Sequence, residues 1–340
     1  MSARRRVAVT GATGLVGSYV ARLLAADPSL EVRASRRASS PMDLLGAAGA
    51  AIDWHTGDLT DLDFQAGLLE GADAVVHAAG LVSYAPGDSA ALREQNVVVT
   101  RDLVNLALER GTLAHFVHVS SVAAISPAAH AGVIEESQRS FFPTASTTRY
   151  ARAKYDAELE VWRGVEEGLG ATVLNPSVVL GAGYWHRSSC RLFAWVDAGR
   201  RFYPAGATGY VDVRDVAAFA KTCLAAGPTN ERYVLNAENW TYRRFFDAVA
   251  AALGVAPPSV AVSAWQAEAA WRAEAAKATL TRSAPLLTKE SARRAMTRSA
   301  YDNARSLAAG ARYRPVAETI ADVAAAYRDT RARGFGVLPV

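Results

Sequence analysis

A β-forming run, Arg6 to Thr10, passes directly into Thr-Gly-Ala-Thr-Gly-Leu-Val-Gly and then into an amphipathic stretch. That order constrains the fold more than any other feature, because a strand, a glycine-rich turn and a helix in immediate succession open a βαβ unit. Gly11 lets the chain turn sharply out of the strand, Gly14 lets the backbone approach a pyrophosphate, and Gly17 lets helix and sheet pack closely. The helix N-terminus adds free N–H groups and a positive dipole end. Thr13, Leu15 and Val16 share this loop and first helical turn and are expected at the same site.

The first 180 residues continue the alternation. Strands are expected at Arg6 to Thr10, Glu31 to Ser35, Ala51 to His55, Ala74 to His77, His115 to Ser120 and Ala171 to Asn175. Helices are expected over Gly14 to Ala26, Ser89 to Arg110 and Arg149 to Gly168, where apolar residues recur at three- and four-residue intervals. Crossover geometry then gives an α/β fold, a Rossmann-type doubly wound parallel sheet with helices on both faces. After Pro176 the pattern loosens into a Gly- and aromatic-rich segment, followed by strands at Tyr210 to Val213 and Tyr233 to Asn236 that are expected to return to the sheet. The expected division is a dinucleotide-binding domain of 1–180 plus 211–236, and a smaller, mostly helical C-terminal substrate-binding region of 181–210 plus 237–340.

At the end of the second strand, where a carboxylate would bond the ribose 2′-hydroxyl of NAD, the chain reads Val32 to Arg37 with no acid. Ser35 can donate a hydrogen bond, and Arg36 and Arg37 can supply the permanently charged, bidentate partners of a 2′-phosphate. NADP(H) is therefore the expected cofactor. Asp58 and Leu59 follow the third strand, where a carboxylate can accept from the adenine amino group and an apolar side chain can cover the ring; Asp58 can equally cap the next helix. Ala78, Ala79 and Gly80 supply small residues where the backbone must pass close to the cofactor.

Tyr150 and Lys154 stand four apart in Tyr-Ala-Arg-Ala-Lys, so on a helix they share one face. A nearby ammonium favours the phenolate and makes Tyr150 a usable acid or base at neutral pH. Ser121, at the tip of the fifth strand and about thirty residues upstream, can hydrogen-bond a carbonyl oxygen and stabilise charge developing on it.

Taken together these motifs resemble those of the extended short-chain dehydrogenase/reductases, the epimerase/dehydratase group that includes dihydroflavonol reductases and 3β-hydroxysteroid dehydrogenases. The resemblance runs over nearly the whole chain and adds Asn96, Asn175-Pro176 ahead of Val178, Tyr210 to Val216, and the stretch from Tyr301 to Pro315. It implies that Tyr150 exchanges the proton, Lys154 binds the nicotinamide ribose and lowers the tyrosine pKa, and Ser121 rather than Ser120 orients the carbonyl. It also places Asn175, Pro176 and Val178 along the cofactor. Asn175-Pro176 is more like the nucleotide-sugar epimerases, whereas many reductases of the group carry Arg-Pro.

The expected activity is reduction of an apolar or ring-bearing ketone or aldehyde by NADPH; the alternative is a nucleotide-sugar epimerase or dehydratase. Tyr184, Trp185, Phe193, Trp195, Phe202, Tyr203, Trp240, Trp265 and Trp271 are candidates for an apolar substrate site, and Arg187, Arg191, Arg200 and Arg201 for a diphosphate. Composition narrows the remaining classes. No run approaches the ~18 apolar residues of a spanning helix, and the N-terminus lacks a signal-peptide pattern, so a cytoplasmic protein without a membrane partner is expected. A net charge of +4, spread along 340 residues, gives no case for nucleic acid. Cys190 and Cys223 have no metal-ligand or disulfide-framework spacing. The expected partner is a small-molecule carbonyl substrate, and the expected assembly is a monomer or homodimer.

Overall fold

A computed structural model describes residues 4–125, 132–134, 147–281 and 288–333. Seven strands form the main sheet: β1 (Arg5–Thr10), β2 (Leu30–Arg36), β3 (Asp53–Thr56), β4 (Ala74–His77), β5 (His115–Val119), β6 (Ala171–Pro176) and β7 (Glu231–Leu235). All pair in parallel, in the order β7-β6-β5-β4-β1-β2-β3. The chain winds outward from β1 to β3, then returns to the other side of β1 for β4. The crevice beyond the carboxyl ends of β1 and β4 is thus the topological switch point, where sheets of this kind bind ligands.

Both faces of the sheet are covered, which is why its strands read as nearly continuous apolar runs. Side chains alternate between the faces. Val7, Val9, Val76 and Val117 pack with Tyr19, Val20 and Leu24 of the helix Leu15–Ala25 and with Val216 and Phe219 of the helix Val213–Ala226. Ala8, Val75, Phe116 and Val173 meet Leu103, Val104 and Ala107 of the helix Val99–Arg110, and Val161 of the helix Arg149–Glu166.

Two sequence expectations change. Tyr210 to Val213 does not return to the main sheet. The strand is Ala207–Asp212, parallel to Val178–Leu180 and antiparallel to Glu238–Thr241 in a separate three-stranded sheet. The edge beyond β6 is already occupied by β7, and the backbone continues from Ser177 straight into the second sheet. Asp212 then ends its strand by capping the next helix, its carboxylate accepting from the Arg214 N–H at 2.7 Å. The second change concerns Ser89 to Arg110, which is not one regular helix. A wide turn of π type over Arg93–Val98 separates Ser89–Leu92 from Val99–Arg110.

β7 is an edge strand, and the C-terminal segment closes it. Ser306 Oγ donates to the Val234 carbonyl at 2.8 Å, and Asn303 Nδ2 donates to the Asn236 carbonyl at 2.6 Å. No helix among the described residues is long and apolar enough to cross a membrane. Cys190 and Cys223 are buried free thiols.

Candidate active site

The glycine loop is shaped by steric necessity. Gly11 has φ +69°, and a Cβ there would stand 2.6 Å from the Ala79 nitrogen. A Cβ on Gly17 would stand 2.1 Å from the Gly11 carbonyl oxygen. Gly14, the exposed N-cap of the helix Leu15–Ala25, differs: a Cβ there would meet protein only at the Gly11 oxygen, 3.3 Å away, and would otherwise fill the space in front of the loop. Leu15 and Val16 turn their side chains onto the core, so what they offer to that space is backbone. Thr13 is half-buried beside them. An open cradle over the first N–H groups of a helix that has no side-chain cap fits a pyrophosphate.

Beneath the loop runs a buried polar chain. The Ala79 N–H donates to Thr10 Oγ1 at 3.2 Å, Thr10 Oγ1 lies 2.7 Å from His77 Nδ1, His77 Nε2 lies 2.9 Å from Thr100 Oγ1, and Thr100 donates to the Asn96 carbonyl at 2.6 Å. Because Thr100 spends its proton on Asn96, His77 Nε2 must carry the hydrogen and Nδ1 must accept from Thr10. Burial, followed by the charge of Lys154, holds His77 down to about 3, so the neutral tautomer persists. Asn96, in the π turn, donates to the Leu81 and Leu92 carbonyls and accepts from the Leu81 N–H, fixing the strand exit next to Gly80.

At the other end of the crevice, Ser35 is buried and Arg36 is already engaged, donating to Thr56 Oγ1 at 3.1 Å with its guanidinium 5.8 Å from the Trp54 ring centre. Arg37 is exposed, and its charge helps hold the Asp58 carboxyl below the ordinary range, after the hydrogen bond from the Thr60 N–H. Asp58 is not the cap of the next helix: Asp61 caps it, because Asp58 turns Oδ1 back onto the Thr60 N–H and hydroxyl, both at 3.0 Å. Leu59 is half-buried against the core.

The chemistry-bearing residues meet at the carboxyl ends of β5 and β6. Thr148 caps the helix Arg149–Glu166, accepting from the Ala151 N–H at 3.0 Å, and so sets where Tyr150 and Lys154 enter. Ser121 caps the short turn Val122–Ala124, its hydroxyl accepting from the Ala123 N–H at 3.1 Å, and it lies beside the Tyr150 phenol, whose ionised form it favours. Ser120 points elsewhere, donating to Glu158 Oε1 at 2.5 Å. The structure thus sets Ser121, and not its neighbour, beside the phenol. Burial and the neighbouring Tyr84 raise Tyr150 well above the ordinary phenol range, against the opposing pull of Ser121 and of Arg294. Lys154 Nζ donates to the Val119 carbonyl at 3.1 Å; burial pushes the ammonium down to about 8, and the charge of Glu158 works against that shift. Asn175 donates to Glu158 Oε1 at 2.5 Å and to the Ser121 carbonyl at 2.9 Å, and Arg232 pairs with Glu158 Oε2. Pro176 ends β6, and Val178 is half-buried in the second sheet.

Residues 7–235 match the family described as the NAD dependent epimerase/dehydratase family. The chain belongs to that family. Its members bind a nicotinamide dinucleotide, and the chain is an extended short-chain dehydrogenase/reductase. Sterol demethylase protein B of Methylococcus capsulatus is 32% identical over 235 residues, covering 68% of this chain and 70% of that protein. A proposed dihydroflavonol 4-reductase of Synechocystis is 31% identical, covering 76% and 75%. The solved protein gox2253 superposes with a TM-score of 0.80 at 26% identity, over 98% of this chain and 100% of that one. A dTDP-glucose 4,6-dehydratase of Streptomyces venezuelae, solved with NAD, shares the fold at a TM-score of 0.77 and 20% identity, over 96% and 98%.

Within this family member the expected aromatic and basic substrate candidates scatter. Phe193 and Trp240 are core residues, Trp265 is 71% exposed, and Arg187 and Arg200 lie over the surface rings of Tyr184 and Trp195. The rings that do surround the site are Tyr84, 5.8 Å from the Tyr150 ring centre, together with Tyr242 and Tyr301, grouped about Arg294. Sequence reading missed these, and Glu158. A carboxylate four residues beyond Lys154 was a usable signal for Glu158; nothing local marks the others.

Proposed function

We propose that this chain is an NADP(H)-dependent reductase that converts a ketone or aldehyde to an alcohol. The observation that carries the reading is the Ser121 hydroxyl beside the Tyr150 phenol, one helical turn from the buried Lys154 on the helix Arg149–Glu166. Relatives named as reductases support it: the Synechocystis protein, and cinnamoyl-CoA reductase 2 of Arabidopsis thaliana, 26% identical over 67% of this chain. The preference for the phosphorylated dinucleotide rests on the missing acid at the end of β2 and on the exposed Arg37.

When bound, the dinucleotide supplies the hydride. Gly11, Gly14 and Gly17 admit its pyrophosphate, and Arg37 takes the 2′-phosphate. Ser121 and Tyr150 both donate hydrogen bonds to the carbonyl oxygen, polarising it before reaction. Because burial holds Tyr150 protonated, it stands ready as the acid that the reductive direction needs, and its O–H proton passes to the developing alkoxide. The phenolate left behind is stabilised by the neighbouring positive charges of Lys154 and Arg294.

The test uses protein purified without added nucleotide. It is expected to be largely free of cofactor, to bind NADPH reversibly and to consume it stoichiometrically with an apolar ketone or aldehyde, followed by reduced-nicotinamide absorbance. Tightly retained nucleotide, with interconversion of nucleotide sugars and no net consumption, would give the site to the epimerase reading.

A further inference from the structure

The helix Lys289–Met296 is fastened to the catalytic helix at its start and to the second sheet at its end. Glu290 accepts from the Arg149 N–H and guanidinium, one residue before Tyr150, at 3.3 and 3.2 Å. The carbonyls of Ala295 and Thr297 accept from Gly206 and Ala207 at 3.2 and 3.1 Å. Arg294 lies one turn beyond Glu290. Its neighbour Arg293 is paired with Glu268, yet the half-buried Arg294 guanidinium has no hydrogen bond or ion pair among the described residues. Around it stand Tyr84, Tyr301, Tyr242 and Tyr150. Tyr84 packs with Leu81, Leu92, Ala123 and Tyr150, and Tyr301 packs with Val122 and Ile125 of the turn that Ser121 caps.

A cation held partly out of water without a counterion pays for its lost hydration unless something anionic completes it. Arginine stays charged in a protein, and neutral phenols supply it no counter-charge. We propose that Arg294 is the anion-binding end of the substrate site, and that the carbonyl substrate carries a carboxylate. This rests on the reductase reading above. A planar guanidinium matches a carboxylate in bidentate fashion, and the tyrosine hydroxyls can donate to its outer lone pairs. A diphosphate is the poorer fit, since Arg294 is the one cation whose charge reaches both Tyr150 and Tyr242 among the described residues. The rings and Leu81 suit an apolar body between the carboxylate and the reacting carbon. The substrate class is therefore an oxo acid.

The experiment compares phenylglyoxylate and 4-oxo-4-phenylbutanoate with their methyl esters on the full chain. NADPH consumption is one readout, and calorimetric binding of each compound is the other. At least one acid is expected to exceed its ester tenfold to a hundredfold in kcat/KM, mainly through KM, and to bind tighter by a like factor. Arg294→Gln is expected to erase the difference, and Arg294→Lys to keep part of it. Equal handling of acid and ester by the unaltered protein, or an undiminished preference in folded Arg294→Gln, overturns the proposal. Tight, Arg294-dependent binding of an acid that is never reduced would keep the anion site and overturn the reductase reading instead.

Discussion

Lys154 and Glu158 stand one turn apart on the buried face of a single helix, and the Glu158 carboxylate raises the ammonium pKa against the burial that lowers it. Ser120, Asn175 and Arg232 satisfy the Glu158 oxygens. Lys154 also faces the neutral imidazoles of His77 and His118.

Glu158→Gln therefore removes the carboxylate that opposes the burial cost of a cationic Lys154. A lysine is charged below its pKa, so lowering that pKa ends the active form sooner on the alkaline side. The alkaline limb of kcat/KM is expected to move to lower pH, and stability to fall by about 3 kcal/mol as Arg232 loses its partner. A pH–rate profile and urea unfolding measure both. An unmoved alkaline limb in a folded variant would remove Glu158 from this role.

Tyr150→Phe is expected to lower kcat by ~10² to 10⁴ while leaving dinucleotide affinity within about twofold. Ser121→Ala should cost ~10² to 10³, also in kcat. Single-turnover kinetics and dinucleotide titration separate the two effects. Substantial turnover by the Phe variant would unseat the tyrosine as proton donor.

Arg37→Ala is expected to weaken NADPH tenfold to a hundredfold, the worth of ~1.5 to 3 kcal/mol from a charged hydrogen bond, and to leave NADH nearly untouched. Arg36→Ala should matter less, since that guanidinium is already committed to Thr56 and Trp54. Shifts in thermal midpoint with each dinucleotide report the contrast, and equal shifts in the unaltered protein would refute the preference.

Two glycine substitutions should part company. Gly14→Ala meets protein only at 3.3 Å and is expected to fold normally but lose dinucleotide binding. Gly17→Ala drives a Cβ to 2.1 Å from a backbone oxygen and is expected to lose stability first. Circular-dichroism melts beside dinucleotide titrations decide, and intact binding by Gly14→Ala would put the pyrophosphate elsewhere.

Among the described residues, three buried histidines give the fold an acid-sensitive edge. Burial holds His77 near 3 and His115 near 4, and drives His118 well below its ordinary 6.5. In each case the folded pKa lies below the unfolded one, so the stabilisation is complete above pH 6.5 and is lost as pH falls toward the folded values. Between about pH 6.5 and 4.5 each histidine should contribute up to about 1.4 kcal/mol of lost stability per pH unit. A flat stability curve across that window, from urea unfolding, would show the rings already protonated in the fold.

How far the sequence could be read depended on how local each feature is. Gly11, Gly14 and Gly17 answer to steric demands of one turn, and Tyr150 and Lys154 to the pitch of one helix, so spacing alone located them. Ser121 and Ser120 part company for an equally local reason, because the two point to different partners once β5 ends. What spacing could not supply was convergence from distant segments. Tyr242 and Tyr301 gather about Arg294, and Arg294 acts on Tyr150, because the helix Lys289–Met296 is tied both to Arg149 and to the segment that enters the second sheet. Pattern alone likewise could not say which sheet Ala207–Asp212 would join, since a strand's alternation records that it is covered and not by what.

The seal over β7 bears on how this protein reaches its folded form during synthesis. Until Asn303 and Ser306 have been made, the outward carbonyls of Val234 and Asn236 belong to an open strand edge, a template on which another chain can pair. The dinucleotide crevice is complete in the chain long before that edge is protected. A chain halted or clipped between the two would carry the dinucleotide crevice on a sheet with an open edge, so the short segment that holds Asn303 and Ser306 is the fold's own guard against edge-to-edge pairing.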